Sequence, residues 1–168
     1  MALTLVKSVG VFCGSTDEAA LPYRASAVRL GLTLAPSRAD ADLCRWRHGP
    51  DGSLRTRAHE AGGRVLGIIP EFLTAPERAL ETVEHVVVAN MHDRKMLMFE
   101  RSDAFVVLPG SIGTSEEAVE ILWHPLGLHA KPVVFYDREG FWQPLFELAH
   151  RKRHAAGIHE SLDLGRTH

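Results

Sequence analysis

The chain has 168 residues, which is enough for one domain with a buried core. Its hydrophobic content is 45% and its formal net charge is −2, so it has no basic surface for nucleic acid, and no apolar run is long enough to span a membrane. Cys13 and Cys44 show no metal-ligand spacing, and among the ten scattered histidines only the pair His150 and His154 does, in a basic stretch that we interpret as a solvated helix face. We therefore expect a cytoplasmic, single-domain protein over residues 1–168 that binds no metal, nucleic acid or membrane.

Apolar runs and helical spacings alternate along the chain. The apolar runs predict strands at residues 6–12, 64–69, 83–88, 104–108 and 133–136. Apolar residues at helical spacing predict helices at residues 23–35, 93–102, 115–124 and 142–155. The strands are hydrophobic throughout, which is typical of a parallel sheet covered on both faces. The sequence thus predicts an α/β, three-layer Rossmann-like fold with a mostly parallel sheet and helices on both faces, whose ligand site lies at the carboxyl ends of the strands.

Residues 36–56 do not fit this alternation. The segment has neither a helical nor a strand period, and Arg45, Trp46, Arg47 and Pro50 stand close together in it. It lies where the alternation requires a second strand and the loop after that strand. We expect the segment to be irregular and to remove one strand from the sheet beside the first strand.

A strand, a tight turn and a helix start meet around residues 108–117. Gly110 and Gly113 allow backbone amides to face inward, and the helix start adds partial positive charge, so the turn suits a phosphate. Glu116 and Glu117 follow directly. They either complement the helix dipole or act on a phosphorylated small molecule bound beside them, and spacing alone does not separate these two explanations.

Five blocks of sequence add a family resemblance. They read Val-Phe-Cys-Gly-Ser at 11–15, Gly-Gly-Arg-Val-Leu-Gly-Ile-Ile-Pro at 62–70, Met-His-Asp-Arg-Lys at 91–95 with Asp-Ala-Phe at 103–105, Pro-Gly-Ser-Ile-Gly-Thr-Ser-Glu-Glu at 109–117, and Leu-Gly-Leu-His-Ala-Lys-Pro at 126–132. In this order they resemble the LOG (Lonely Guy) family and cover most of residues 7–145. Its members are cytokinin riboside 5′-monophosphate phosphoribohydrolases, long labelled lysine decarboxylases, with a modified Rossmann fold.

The resemblance implies the site residues. Arg94 and Glu117 match the family's catalytic arginine and glutamate. The implied substrate-binding residues are Gly14, Ser15, Lys95, Gly110, Ser111, Gly113, Thr114 and Glu116. Ser111 replaces the family's usual glycine, which would strain the turn if that position needed a positive φ. The resemblance further implies a homodimer that hydrolyses the N-glycosidic bond of AMP or N6-substituted AMP without a cofactor.

Two other functions stay open at this point. The family carries a Tyr-Gly-Gly-Gly-x-x-Gly-Leu-Met-Gly type loop where residues 36–56 lie, so a chain without it could bind nucleotide with little or no turnover. A lysine decarboxylase would instead need pyridoxal phosphate on a lysine. Lys95 and Lys131 are the lysines near the blocks, and neither has a recognisable Schiff-base context.

A frameshift is our explanation for residues 36–56. Read one nucleotide later, the codons permit the string GLTLIYAGGGTGLMG over residues 38–52, which nearly restores the missing loop. Codon degeneracy alone seldom permits so long a run of sensible matches. The alternative is a divergent loop that evolved normally.

Overall fold

A computed structural model describes residues 6–14, 21–34, 40–44, 49–74, 84–123 and 131–156. The strands are β1 (Ser8–Phe12), β2 (Asp40–Cys44), β3 (Val65–Pro70), β4 (Glu84–Val88), β5 (Ala104–Val107) and β6 (Val133–Phe135). The helices are α1 (Leu21–Leu34), α2 (Gly49–Glu60), α3 (Met91–Arg101), α4 (Ile112–Trp123) and α5 (Gln143–Ala156), with short 3-10 helices at Glu71–Leu73 and Arg138–Gly140. No helix in these ranges is long and apolar enough to cross a bilayer.

The six strands form one sheet in the order β4-β3-β2-β1-β5-β6, and every neighbouring pair is parallel. Alternate side chains of β1 point to opposite faces. Val9 and Val11 pack with Ala27 of α1 and Leu54 of α2. Phe12 packs on the other face, in a cluster that includes Met98 of α3, Ala118 and Ile121 of α4, and Trp142 before α5. The predicted fold, with a parallel sheet and helices on both faces, is confirmed.

Packing between β1 and β5 holds together the two strands that lead into the candidate site. A Cβ atom on Gly10 would lie 2.7 Å from the Phe105 ring, so the glycine makes room for Phe105 beside β1. The Phe105 ring stacks on Phe12 and on Phe99, each at a centroid distance of 5.9 Å. Because Phe105 is fully buried, this contact fixes β5 against β1 and α3.

The expectation that residues 36–56 lack a strand is wrong where the structure describes them. β2 pairs with both β1 and β3, and α2 begins at Gly49. A central parallel strand is held by backbone hydrogen bonds on both sides, which require no side-chain period. Leu54 and Ala58, one helical turn apart, are buried against α1, where a Cβ on Gly31 would lie 2.6 Å from the Leu54 carbonyl oxygen. Tertiary packing therefore specifies α2 where periodicity does not. Residues 35–39 and 45–48 lie outside the described residues.

The remaining predicted elements are present with small shifts in their ends. The difference that affects the site is at α4, which begins at Ile112 rather than at residue 115. Gly113 and Thr114 therefore lie in the first turn of the helix, and the turn that precedes it spans only Leu108 to Ser111. Glu116 and Glu117 fall in the second turn, so the explanation that they complement the dipole in the first turn is wrong.

Candidate active site

Two glycine turns meet at the carboxyl edge of the sheet, one after β1 and the other after β5. A Cβ on Gly14 would lie 3.2 Å from the Gly110 Cα atom. A Cβ on Gly110 would lie 2.8 Å from the Gly14 amide nitrogen and 2.7 Å from the Thr114 Cβ atom. Gly110 has no room for a side chain and Gly14 has little, because the two glycines pack on each other's backbone. The two predicted binding residues Gly14 and Gly110 are thus brought together, whereas Ser15 lies outside the described residues.

The start of α4 is where the sequence predicts an anion cradle, made of Gly110 to Thr114. The Ser115 amide donates to the Ser111 carbonyl at 3.1 Å, so the amides that precede Ser115 in the helix have no partner within it. Ser111, Ile112 and Gly113 are exposed there, while Thr114 is buried against Gly110. Among the described residues other than glycine, only Glu139 has a positive φ. Ser111 therefore does not carry the backbone strain that a positive φ would cause. This turn can accept an anion through its amides and the Ser111 hydroxyl.

Arg94 and Glu117 form a buried ion pair between α3 and α4. Arg94 Nη1 lies 2.7 Å from Glu117 Oε1, and the two side chains are 3% and 9% exposed. Asn90 caps α3 by accepting from the Asp93 amide at 2.9 Å, which fixes the first turn of the helix that carries Arg94. The two predicted catalytic residues therefore lie in contact, one turn along α4 from the cradle.

Burial dominates the electrostatics of Glu117. Loss of solvent raises the pKa of its carboxyl above the ordinary value, although the charge and hydrogen bond of Arg94 act in the opposite direction. The Arg94 guanidinium thus limits, but does not cancel, the effect of burial. A buried carboxylate with a raised pKa is a stronger base than an exposed one. Such a group is suited to take a proton from a single water molecule bound beside it.

Lys95 adds a second ionic contact between the same helices. Its ammonium lies 2.7 Å from Glu116 Oε1 and also pairs with Glu120. Burial alone would lower the pKa of Lys95, but the hydrogen bonds to Glu116 and Glu120 and the attraction of their charges raise it. Glu120 is not among the predicted site residues, although its position four residues after Glu116 puts both carboxylates on one face of a helix.

Comparison with known proteins decides the family. The family model described as "Possible lysine decarboxylase" matches residues 52–163. The cytokinin riboside 5′-monophosphate phosphoribohydrolase of Rhodococcoides fascians is 42% identical over 142 residues, which cover 83% of this chain and 72% of that protein. The chain belongs to the LOG family. A probable enzyme of the same name from Oryza sativa subsp. japonica is 42% identical over 138 residues, and this chain spans 61% of its length.

A solved structure shares the fold of this chain. The molybdenum cofactor binding protein of the phototrophic bacterium Rippkaea orientalis matches with a TM-score of 0.68 at 21% identity, over 89% of this chain and 87% of that one. At this identity the likeness concerns the fold alone.

Lys95 and Lys131, the lysines near the family's sequence blocks, do not fit the pyridoxal phosphate that the decarboxylase description implies. A Schiff base needs a neutral, accessible lysine amine. The Lys95 ammonium is held by two carboxylates that raise its pKa. Lys131 Nζ donates to the Phe99 carbonyl at 2.5 Å and lies 4.3 Å from the centroid of the Phe99 ring. Within the described ranges, no group of three or more His, Cys, Asp or Glu residues is placed to hold a metal ion.

Proposed function

We propose that this protein hydrolyses the N-glycosidic bond of AMP or N6-substituted AMP, releasing the free base and ribose 5-phosphate. The observation that carries the proposal is the buried Arg94–Glu117 pair, 2.7 Å between Nη1 and Oε1, beside an anion cradle at the start of α4. The names of the LOG relatives support the same substrate class. An enzyme of this kind must hold a phosphate and act on a carbon a few bonds away, and these two features lie about one helical turn apart.

Glu117 is the group that acts on the bond. As the bond between C1′ and the base nitrogen breaks, the base takes the electron pair and positive charge develops on the ribose. The Glu117 carboxylate stabilises that charge and accepts a proton from the water whose oxygen attacks C1′. The proton then passes to the departing base, so that one water is consumed for each bond broken. Arg94 keeps the carboxylate in one orientation through a charge-assisted hydrogen bond.

The cradle and its neighbours hold the rest of the nucleotide. The 5′-phosphate binds to the amides of Gly110 to Thr114 and the Ser111 hydroxyl, with Gly14 and Ser15 at the adjacent turn. Glu116, whose side chain is 57% exposed, accepts from the ribose hydroxyls, and Lys95 holds it in place. The protein acts as a homodimer in the cytoplasm in this proposal, with α3 and α4 facing the partner copy.

The test is incubation with AMP, with isopentenyl-AMP and with adenosine, followed by chromatography for free base. Both nucleotides should release base, whereas adenosine should react at least about 100-fold more slowly, because without phosphate it loses the binding energy of the cradle. Comparable cleavage of adenosine and AMP would remove the cradle from the mechanism. AMP binding with no release of base would instead indicate a nucleotide-binding module without turnover.

A further inference from the structure

Glu120 has a defined contact that the proposed mechanism does not use. Consecutive cations on α3, Arg94 and Lys95, face three carboxylates on α4. Arg94 forms an ion pair with the buried Glu117, and Lys95 forms ion pairs with both Glu116 and Glu120. The Lys95 side chain is 19% exposed, Glu120 is 36% exposed and Glu116 is 57% exposed. Within the group of Lys95, Glu116 and Glu120, Lys95 and Glu120 are thus the more enclosed members, and Glu116 faces the solvent.

The geometry of this cluster restricts Lys95 from two sides. A lysine ammonium is carried on a flexible stem of four carbons, and a single exposed partner holds it poorly. Glu116 and Glu120 are four residues apart on one helix, where like charges repel unless a cation lies between them. Lys95 supplies that cation, so the two carboxylates and the ammonium are fixed by one another. Removing Glu120 would leave Lys95 with one exposed partner.

Glu120 also lies beside the catalytic pair. It lines the same crevice between α3 and α4 as Glu117, and the aromatic rings of Phe12 and Phe105 form part of its wall. Apolar walls strengthen ionic contacts because they reduce screening by water. The Lys95–Glu120 pair is therefore a firmer contact than an ordinary surface ion pair.

We propose that Glu120 is a positioning residue for the ribose of the substrate. It holds Lys95, and Lys95 holds Oε1 of Glu116, so that the second oxygen of Glu116 stays free to accept from the ribose hydroxyls. Glu120 itself does not touch the substrate. The inference rests on the proposed function, because it assumes that Glu116 binds the ribose.

The test is a double-mutant cycle on Glu120→Gln and Lys95→Met, measured as KM and kcat for AMP. Glu120→Gln should raise KM by about threefold to fivefold, the loss expected for a partly enclosed ion pair, and leave kcat within about twofold. Because Glu120 acts through Lys95, the double variant should be no worse than Lys95→Met alone. A matched control is Glu84→Gln, which breaks the ion pair between Glu84 at the start of β4 and Arg64 before β3, and should leave KM unchanged.

Binding separates this inference from the proposed function. The same cycle is measured as the Kd for AMP on a Glu117→Gln background, where turnover is not needed. If the wild type binds AMP but releases no base, the proposed function fails, while the Kd cycle still decides the role of Glu120. Glu120→Asp, which keeps the charge on a shorter side chain, should lie between wild type and Glu120→Gln. Unchanged KM and Kd in Glu120→Gln, a loss confined to kcat, or fully additive effects with Lys95→Met would each overturn the inference.

Discussion

Arg94 and Glu117 are charged side chains that the fold keeps almost completely away from water. Burying such a pair stabilises a protein little, because the loss of hydration offsets most of the attraction between the charges. The raised pKa of Glu117 is consistent with this, since burial outweighs Arg94. The pair is therefore better explained by chemistry than by stability, and its two members should differ in how their loss affects the reaction.

Glu117→Gln should stop base release while AMP still binds. The amide keeps the size of the side chain but removes the charge that stabilises the oxocarbenium and accepts the proton. We expect kcat to fall by about 10²–10⁴-fold, the range for a general acid or base, with Kd for AMP within a few-fold of wild type. Single-turnover release of base measures the fall in turnover, and calorimetric titration with AMP measures the Kd. Near-normal turnover would remove Glu117 from the catalytic role.

Arg94→Ala should lower kcat by about 100-fold, as for loss of one charge-assisted contact in an active site. Arg94→Lys should not restore it, because an ammonium lacks the planar fork of the guanidinium. Without Arg94, the pKa of Glu117 should rise further, since the cation that favours its ionised form is gone. The loss of activity on acidification should therefore begin at a higher pH in Arg94→Ala than in wild type. A pH–rate profile of the residual activity measures this, and an unshifted acidic limb, or a lysine variant with most of the activity, would contradict it.

At the scale of elements, the site depends on how β1 and β5 end. Both strands run into glycine turns that touch, and the second turn leads directly into α4. Arg94 comes from α3, which crosses the same face of the sheet. Because the two strands are parallel and adjacent, they end at the same edge of the sheet and bring Gly14 and Gly110 together.

Gly110→Ala should disrupt the contact between Gly14 and Gly110 and destabilise the protein, whereas Gly113→Ala should not. The new Cβ at residue 110 would lie 2.8 Å from the Gly14 amide nitrogen and would overlap Thr114. We expect Gly110→Ala to lower the free energy of unfolding by about 1–3 kcal/mol and to weaken AMP binding, as overpacking does. At Gly113 the new Cβ would meet only Ser111 Oγ, at 3.8 Å, so stability should stay within about 1 kcal/mol of wild type. Thermal melts and AMP titrations of the two variants form the comparison, and equal effects would mean that the turns do not need their contact.

Sequence patterns were sufficient for the parts of the fold that repeat a simple period. β3, β5 and α3 lie within a few residues of their predicted bounds, because continuous apolar runs and helical spacing reflect local geometry. β2 and α2 could not be found this way, since β2 is held by its neighbours in the sheet and α2 by its contact with α1. The catalytic roles predicted for Arg94 and Glu117 came from the family resemblance, and their contact, distance and burial could come only from the packing of α3 against α4.

At the scale of the whole molecule, residues 36–56 remain the anomaly. The match to the family model begins at residue 52, near the end of this segment. β2 and α2 lie on either side of residues 45–48, within the segment 36–56 where the LOG family carries its glycine loop. The frameshift hypothesis thus concerns a wall of the nucleotide site more than the continuity of the sheet.

A chain with the restored glycine loop should hydrolyse AMP faster than the chain as it stands. Glycines let backbone approach a nucleotide closely, whereas Arg45, Trp46, Arg47 and Pro50 cannot adopt the same φ values or leave the same room. The restored chain should also melt at a higher temperature, and a paired assay of the two proteins measures both effects. Equal rates and equal melting would make the loop dispensable. Sequencing of the gene across codons 36 to 58 tests the frameshift itself.

The pairing of β1 with β5 has a consequence for how this protein acquires its site. The Ser8 amide donates to the Asp103 carboxylate, 95 positions away along the chain. Next to this contact β5 pairs with β1, with Val9 opposite Ala104. We expect contacts this distant along the chain to form late, because closing a long loop costs entropy before the contacts can stabilise the chain. Gly14 meets Gly110 only after that closure, although α1 and α2 can pack earlier. We therefore expect the candidate site to be completed late in folding, because a partly folded chain in which β5 is still undocked cannot bring Gly14 to Gly110.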